Sequence, residues 1–218
     1  MVAKRLSIAQ SVRVEALTLQ GNLVRLEPLS LDHVPALTEA ATNDRSTCCF
    51  TLVPGDTEAM AAYVATALAE QLTGRTLAFA TVAHGDVVGS TRFMDMDYWH
   101  DSAVSSPRVV PSVVEIGSTW LSASAQRTGA NSEAKLLMLS HAFETWRVHR
   151  VTFKTDARNQ RSRRAIERIG ATFEGIRRAH VVAYDGTIRD SAYFSIIASE
   201  WPEVKRLLCA LVERRPSA

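Results

Sequence analysis

Cysteine is scarce in this chain. Cys48, Cys49 and Cys209 are the only three in 218 residues, two are adjacent, and none sits in a Cys-x-x-Cys spacing. That pattern excludes a disulfide framework and a zinc-finger type of fold, and it fits reduced thiols in a cytoplasmic protein. Long apolar runs are missing too: no stretch approaches the about 18 residues expected of a membrane span. The N-terminal MVAKRLSIAQSVRVEA carries positive charge without a continuous apolar block, so it does not read as a signal peptide. Charge of one sign is not in excess. A net charge of +2 gives no reason to expect nucleic acid or a membrane surface as partner. Arg158, Arg161, Arg163, Arg164 and Arg168 crowd one segment, with Arg177 and Arg178 beyond it. No aromatic stacking platform accompanies them, so they read first as a solvated helix face. The Lys-Ser/Thr of a Walker A loop and the three glycines of a dinucleotide fingerprint are absent as well.

What is present is an ordinary globular composition, 46% hydrophobic and 22% charged, of a length that suits one domain with additions. We expect an N-terminal arm over 1–20, a domain over 21–200 and a C-terminal helix over 201–218. Leu23–Leu29 alternates as a half-buried strand does, and Ser30 or Asp32 can cap a helix to about Ala41. A second, Ala-rich helix spans Glu58–Gln71. Leu77–Val82 and Val87–Met94 form a hairpin around His84-Gly85-Asp86. Residues 97–112 are irregular, long enough to suggest a substrate-covering loop. Val113–Leu121 is a strand feeding a loop, Ser122–Ala130, and a long helix over about Asn131–Trp146. Strand Arg150–Thr155, helix Asn159–Ile169 and extended pieces Ala171–Gly175 and His180–Tyr184 follow. Asp185-Gly186 marks a hairpin turn before strand Ile188–Ile197, and a helix from Trp201 to about Glu213 ends the order. The element order implies an α/β domain around a mixed, twisted sheet.

The segment Ser118–Asn131 is the most informative. A strand enters a loop with a glycine, and a helix starts there, an arrangement that presents free backbone N–H groups to a pyrophosphate. Gly129 allows close approach of the backbone and Arg127 adds positive charge. Gln126-Arg127-Thr128-Gly129-Ala130-Asn131 resembles the Q/R-x-x-G-x-G/A loop of GNAT acetyltransferases. Asn131 stands where that family usually has Gly or Ala, and it can serve as a helix cap. Independently, Asn159-Gln160-Arg161-Ser162 and Ile169-Gly170-Ala171-Thr172-Phe173-Glu174-Gly175 resemble the N-x-x-S…G-F-x-x-E-G run of the Rim-type ribosomal-protein acetyltransferases. Ala171-Thr172-Phe173 replaces the tighter Gly-Phe pair.

The resemblance covers roughly residues 20–200. It implies a GNAT fold: a mixed, mostly antiparallel twisted sheet with flanking helices and a splayed central strand pair. It implies an N-acyltransferase that moves an acetyl or other short acyl group from acyl-CoA to a primary amine in a ternary complex, without a metal. The alternative is a non-catalytic acyl-CoA sensor. Partners would be an amine acceptor, a protein N-terminus or a small molecule, with a homodimer left open. By the same resemblance Thr119, Trp120, Leu121, Gln126, Arg127, Thr128, Gly129, Ala130, Asn131 and Asn159 would hold the cofactor. A backbone N–H of Thr119–Leu121 would receive the thioester oxygen, and Trp120 would line the slot or fill core. Ser162 would serve the departing thiolate. Glu115 and His180 compete as general base, each with an ordinary structural role as its alternative, and ordered water is a third option. Asp190 and Tyr193 would face the acceptor.

Overall fold

The computed structural model describes residues 15–46, 50–99, 110–183 and 185–213. Cys48, Cys49, Tyr184 and most of the long loop expected over 97–112 lie outside the described residues. In chain order the elements are β1 (Leu19–Gln20), β2 (Val24–Pro28), α1 (Val34–Thr42), α2 (Thr57–Gln71), β3 (Leu77–Ala83), β4 (Asp86–Asp97) and β5 (Val113–Leu121). After these come α3 (Ala130–Ser140), β6 (Arg150–Asp156), α4 (Gln160–Arg168), β7 (Thr172–Val182), β8 (Ile188–Ile197) and α5 (Trp201–Glu213). The strands form one sheet in the order β1-β2-β3-β4-β5-β6-β8-β7. Every pairing is antiparallel except β5 with β6. Among the described residues no helix is long and apolar enough to cross a membrane.

Alternation along the strands sends side chains to two separate cores. Phe93, Val114, Ile116, Val151, Phe153, Ala192, Phe194 and Ile196 point to the α3/α5 face, where Met138, Leu139, Trp201 and Leu208 meet them. Ala78, Ala80 and Trp120 point the other way, against Leu37, Met60 and Val64 of α1 and α2.

Three expectations need correction. The helix after Leu29 is preceded by a 3-10 turn, Leu31–His33, so α1 begins at Val34, with Pro35 in its first turn, where the missing N–H costs nothing. The long helix is not continuous. α3 stops at Ser140 and a π-helical turn, His141–Thr145, follows, closed by Trp146 N–H donating to His141 O at 3.1 Å. The wider turn leaves Ala142 and Phe143 both buried. The two extended pieces expected around residues 171–175 and 180–184 belong to one strand, β7. Its register against β8 shifts between Arg177 and Val181, and Ala179 there has φ +48°. The Asp190 carboxylate accepts the Ala179 N–H at 2.8 Å and holds this bulge.

Candidate active site

β5 and β6 pair over only three positions, Val113 with Arg150, Val114 with Val151 and Glu115 with Thr152. Beyond Glu115 the two strands part. β5 stays with β4 as far as Leu121, and β6 stays with β8 as far as Asp156. A bulge drives the divergence: the β4–β5 register shifts between Ser90 and Arg92, opposite Gly117–Trp120, and Ser118 has φ +47°. Such an insertion increases local twist and turns the strand away from its neighbour. The gap is a passage between the two faces of the sheet. Its β5 wall runs from Ile116 to Leu121, which includes Thr119, Trp120 and Leu121.

The β5 strand leads into the loop ahead of α3. Gly129 is the N-cap of α3 at φ +91°, so Asn131 is not the cap but the second helical residue. Arg127 has φ +66°, a left-handed conformation beside that of Gly129. A side chain at Gly129 would be strained there and would sit 3.1 Å from Leu23 Cδ1. The backbone N–H groups of Ala130, Asn131 and Ser132 have no helical partner, and among the described residues only that of Ala130 reaches a side chain, Thr128 Oγ1 at 3.4 Å. Thr128 Oγ1 donates in turn to Ala125 O at 2.7 Å. Gln126 donates through Nε2 to Leu121 O at 2.9 Å and accepts from Arg161 of α4, tying the loop to both strand and helix. Asn131 Oδ1 is buried with no hydrogen-bond partner among the described residues.

Across the passage, Asn159 caps α4 by accepting the Ser162 N–H at 3.0 Å. The Ser162 hydroxyl makes no hydrogen bond among the described residues and is half-buried. Arg158 pairs with Asp156 at 2.8 Å and Asp185 at 3.0 Å, and Arg158, Arg161, Arg164 and Arg168 are exposed, as expected of a solvated helix face.

Glu115, His180 and Tyr193 lie on the face opposite α3. Glu115 is 4% exposed, not the strand-edge charge in water that was its ordinary alternative. Its carboxylate pairs with Lys154 Nζ at 2.9 Å, and Lys154 also reaches Asp95 at 3.1 Å. Burial raises the Glu115 pKa from 4.5 to about 7 against the pull of Lys154. Burial would lower the pKa of Lys154, but its two carboxylate partners outweigh that and raise it. Gly117 makes room for this arrangement: a Cβ there would lie 2.8 Å from Glu115 Oε1. Lys154 stands beside Tyr193 in the β6–β8 register. Tyr193 Oη lies 3.2 Å from His180 Nε2, and His180 Nδ1 lies 3.0 Å from Ser191 Oγ. Burial, followed by the charges of Arg177, Lys154 and Arg189, lowers the His180 pKa, which keeps the ring neutral near pH 7. Glu115, Lys154, Tyr193 and His180 thus form a polar row across β5, β6, β8 and β7. Asp190 is not brought into it, because its carboxylate holds the bulge in β7.

Sequence reading missed Lys154, whose place beside Glu115 depends on strand register. It also missed two buried charges on α3. Glu133 accepts the N–H groups of Asn22, Leu23 and Val24 at 2.6–2.9 Å and pins the β1–β2 turn against the start of α3. Lys135 donates to Thr119 Oγ1 at 2.7 Å and Thr91 Oγ1 at 3.3 Å, and burial lowers its pKa to about 7.

With strand splay, loop and α4 cap in place, residues 24–172 match the acetyltransferase (GNAT) domain family. The chain belongs to that family. A solved protein from T. thermophilus is 34% identical, with a TM-score of 0.74 over 90% of this chain and 97% of that one. A GCN5-related N-acetyltransferase from Brucella melitensis is 29% identical, with a TM-score of 0.77 over 93% of this chain and 88% of that one. Mycobacterium smegmatis RimJ, solved in complex with CoA-disulfide, shares the fold at 21% identity and a TM-score of 0.71, covering 89% of this chain and 93% of that one. No curated protein matches the sequence. The protein is an acyl-CoA-dependent N-acetyltransferase. GNAT acetyltransferases draw their acyl group from acetyl-CoA. The loop residues fit that co-substrate: left-handed backbone at Arg127 and Gly129 and N–H groups at the start of α3 without a helical partner.

Proposed function

We propose that the enzyme transfers an acetyl or other short acyl group to a primary amine, with Glu115 as general base. The observation that carries this is a buried carboxylate with a pKa of about 7 at the point where β5 and β6 part. A base is most effective when its pKa lies near the working pH. Gln126–Asn131 would cradle the pyrophosphate, and the pantetheine arm would pass between β5 and β6. A backbone N–H of Thr119–Leu121 would receive the carbonyl oxygen as it gains charge.

The amine attacks the thioester carbon and the C–N bond forms as the C–S bond breaks. Glu115 takes the proton lost by the amine. The thiolate leaves with a proton delivered through the Ser162 hydroxyl, which is otherwise unengaged. His180, neutral and bonded to two hydroxyls, orients Tyr193 at the acceptor side and does not compete with Glu115 for the proton. The products are an amide and free CoA thiol in equal amounts. The test is thiol release from acetyl-CoA with a panel of primary amines and N-terminal peptides. Amine-dependent release is expected. CoA binding without release for any amine would favour an acyl-CoA sensor and overturn the proposal.

A further inference from the structure

Four buried polar side-chain atoms on neighbouring elements have no hydrogen-bond partner among the described residues: Tyr63 Oη, Ser90 Oγ, Arg92 Nε and Trp120 Nε1. They come from α2, β4 and β5. Ser90 is paired with Trp120, and Arg92 with Gly117, in the β4–β5 register. Ser90 and Arg92 alternate onto the same face of β4. Trp120 packs in the core against α1 and α2, and the Arg92 guanidinium lies 4.6 Å over the Tyr63 ring. All four atoms can donate a hydrogen bond. Buried polar groups in native proteins are almost always satisfied, so a cluster of unpaired donors points to a guest that accepts hydrogen bonds.

Their position identifies the guest. Glu115 follows on the same face, paired with Met94, two residues from Arg92. Arg92 and Glu115 are therefore diagonal neighbours, with Cβ atoms about 7 Å apart. The Glu115 carboxyl lies over Gly117, the residue paired with Arg92. An amine delivered to Glu115 would have its neighbouring atoms against Arg92. Arg92 is 5% exposed, and it forms an ion pair with Glu70 of α2 at 3.1 Å. The Glu70 side chain is 48% exposed, so it can return to water when another carboxylate takes its place on Arg92.

The geometry points to an acceptor-recognition site: Arg92, with Tyr63, Ser90 and Trp120, binds a carboxylate carried within a few bonds of the reacting amine. The acceptor class is thus amino acids and amino-acid-like small molecules. Arg92 is its specificity-determining residue, and Glu70 occupies the carboxylate position in the free enzyme. This rests on the transferase reading above and names its substrate class.

The test compares amino acids with their carboxamides, which keep the amine and lose the charge. Wild-type kcat/KM should favour the acids by about tenfold or more, in line with a charge-assisted pair. Arg92→Met should bring that ratio close to one, and Glu70→Gln should lower KM for the acids alone. CoA binding and Tm of each variant show that it is folded. Equal use of acids and amides by the wild type, or an unchanged ratio in both variants, would overturn the inference and leave the transferase reading standing. If no amine is turned over, calorimetry of amino-acid binding in the presence of CoA separates the two. Binding that needs both the carboxylate and Arg92 supports the site while the transferase reading falls; no such binding overturns the site.

Discussion

Glu115→Gln is the perturbation with the most to reveal, because the same carboxylate governs two measurable quantities. Its folded pKa of about 7 lies above its ordinary value of 4.5. That difference corresponds to about 3 kcal/mol at about 1.4 kcal/mol per pH unit. Since the folded pKa is raised, the stabilised form is the protonated one. The Glu115 contribution is complete below pH 4.5, declines as pH rises, and is gone once pH passes about 7. Glutamine does not titrate, so the variant lacks this decline. Chemical denaturation of both proteins across that window should show the variant gaining on the wild type by about 3 kcal/mol. Lys154 keeps Asp95 as a partner, so the variant is not left with an unpaired buried cation. Catalysis moves the other way. As a general base Glu115 works only when deprotonated, so wild-type kcat/KM should rise with pH up to an inflection near 7. The variant should lose that limb and fall by about 10²–10⁴-fold in rate. A variant that keeps both the wild-type rate and the wild-type acid limb would refute the assignment. A stability difference that does not change with pH would refute the burial argument beneath it.

Binding of CoA should raise Tm, since a ligand confined to the native state adds about 2.7 kcal/mol at a hundredfold excess over its Kd; calorimetry showing no shift in millimolar CoA would remove the cradle. Gly129→Val should damage CoA affinity more than Arg127→Ala, because it places a branched side chain at φ +91° against Leu23, whereas Arg127 is an exposed charge. Titration with the order reversed would show that the backbone is not the main phosphate site. Ser162→Ala should lower turnover by about 10²–10⁴-fold with CoA affinity and Tm kept, because Asn159 caps α4 through the Ser162 N–H and not its hydroxyl. Unimpaired turnover would show that the hydroxyl does not serve the thiolate.

Local signals made much of the fold legible. Alternation marked the central strands, with the β5 limits read directly, and glycine and Asn-cap chemistry marked the loop before α3 and the start of α4. β7 was read as two pieces because its side chains are almost all exposed, so burial imposes no alternation on it. The end of α3 was hidden because Ala142 and Phe143 suit an α-helix and a π-turn equally. Candidates such as Gly129 and Asn159 were announced by a motif, and they stand at the N-caps of α3 and α4. Those defined by register were not. Lys154 meets Glu115 only because β6 runs parallel to β5, and Arg92 comes near Glu115 only through the β4–β5 pairing. Lys135 and Glu133 belong to no motif and gain their partners only because the first turns of α3 are buried. Asp190 and Tyr193 stand three apart on a regular strand, so alternation sends them to opposite faces.

The central claim is that the thioester enters between β5 and β6. Amide hydrogen exchange with and without acetyl-CoA tests it most directly. The stretch Ile116–Leu121, which is unpaired on its β6 side, and the loop and first turn over 126–132 should exchange more slowly when the ligand is bound, with the outer strands β1 and β2 unchanged. Tight binding that leaves exchange in both stretches unaltered would contradict the claim.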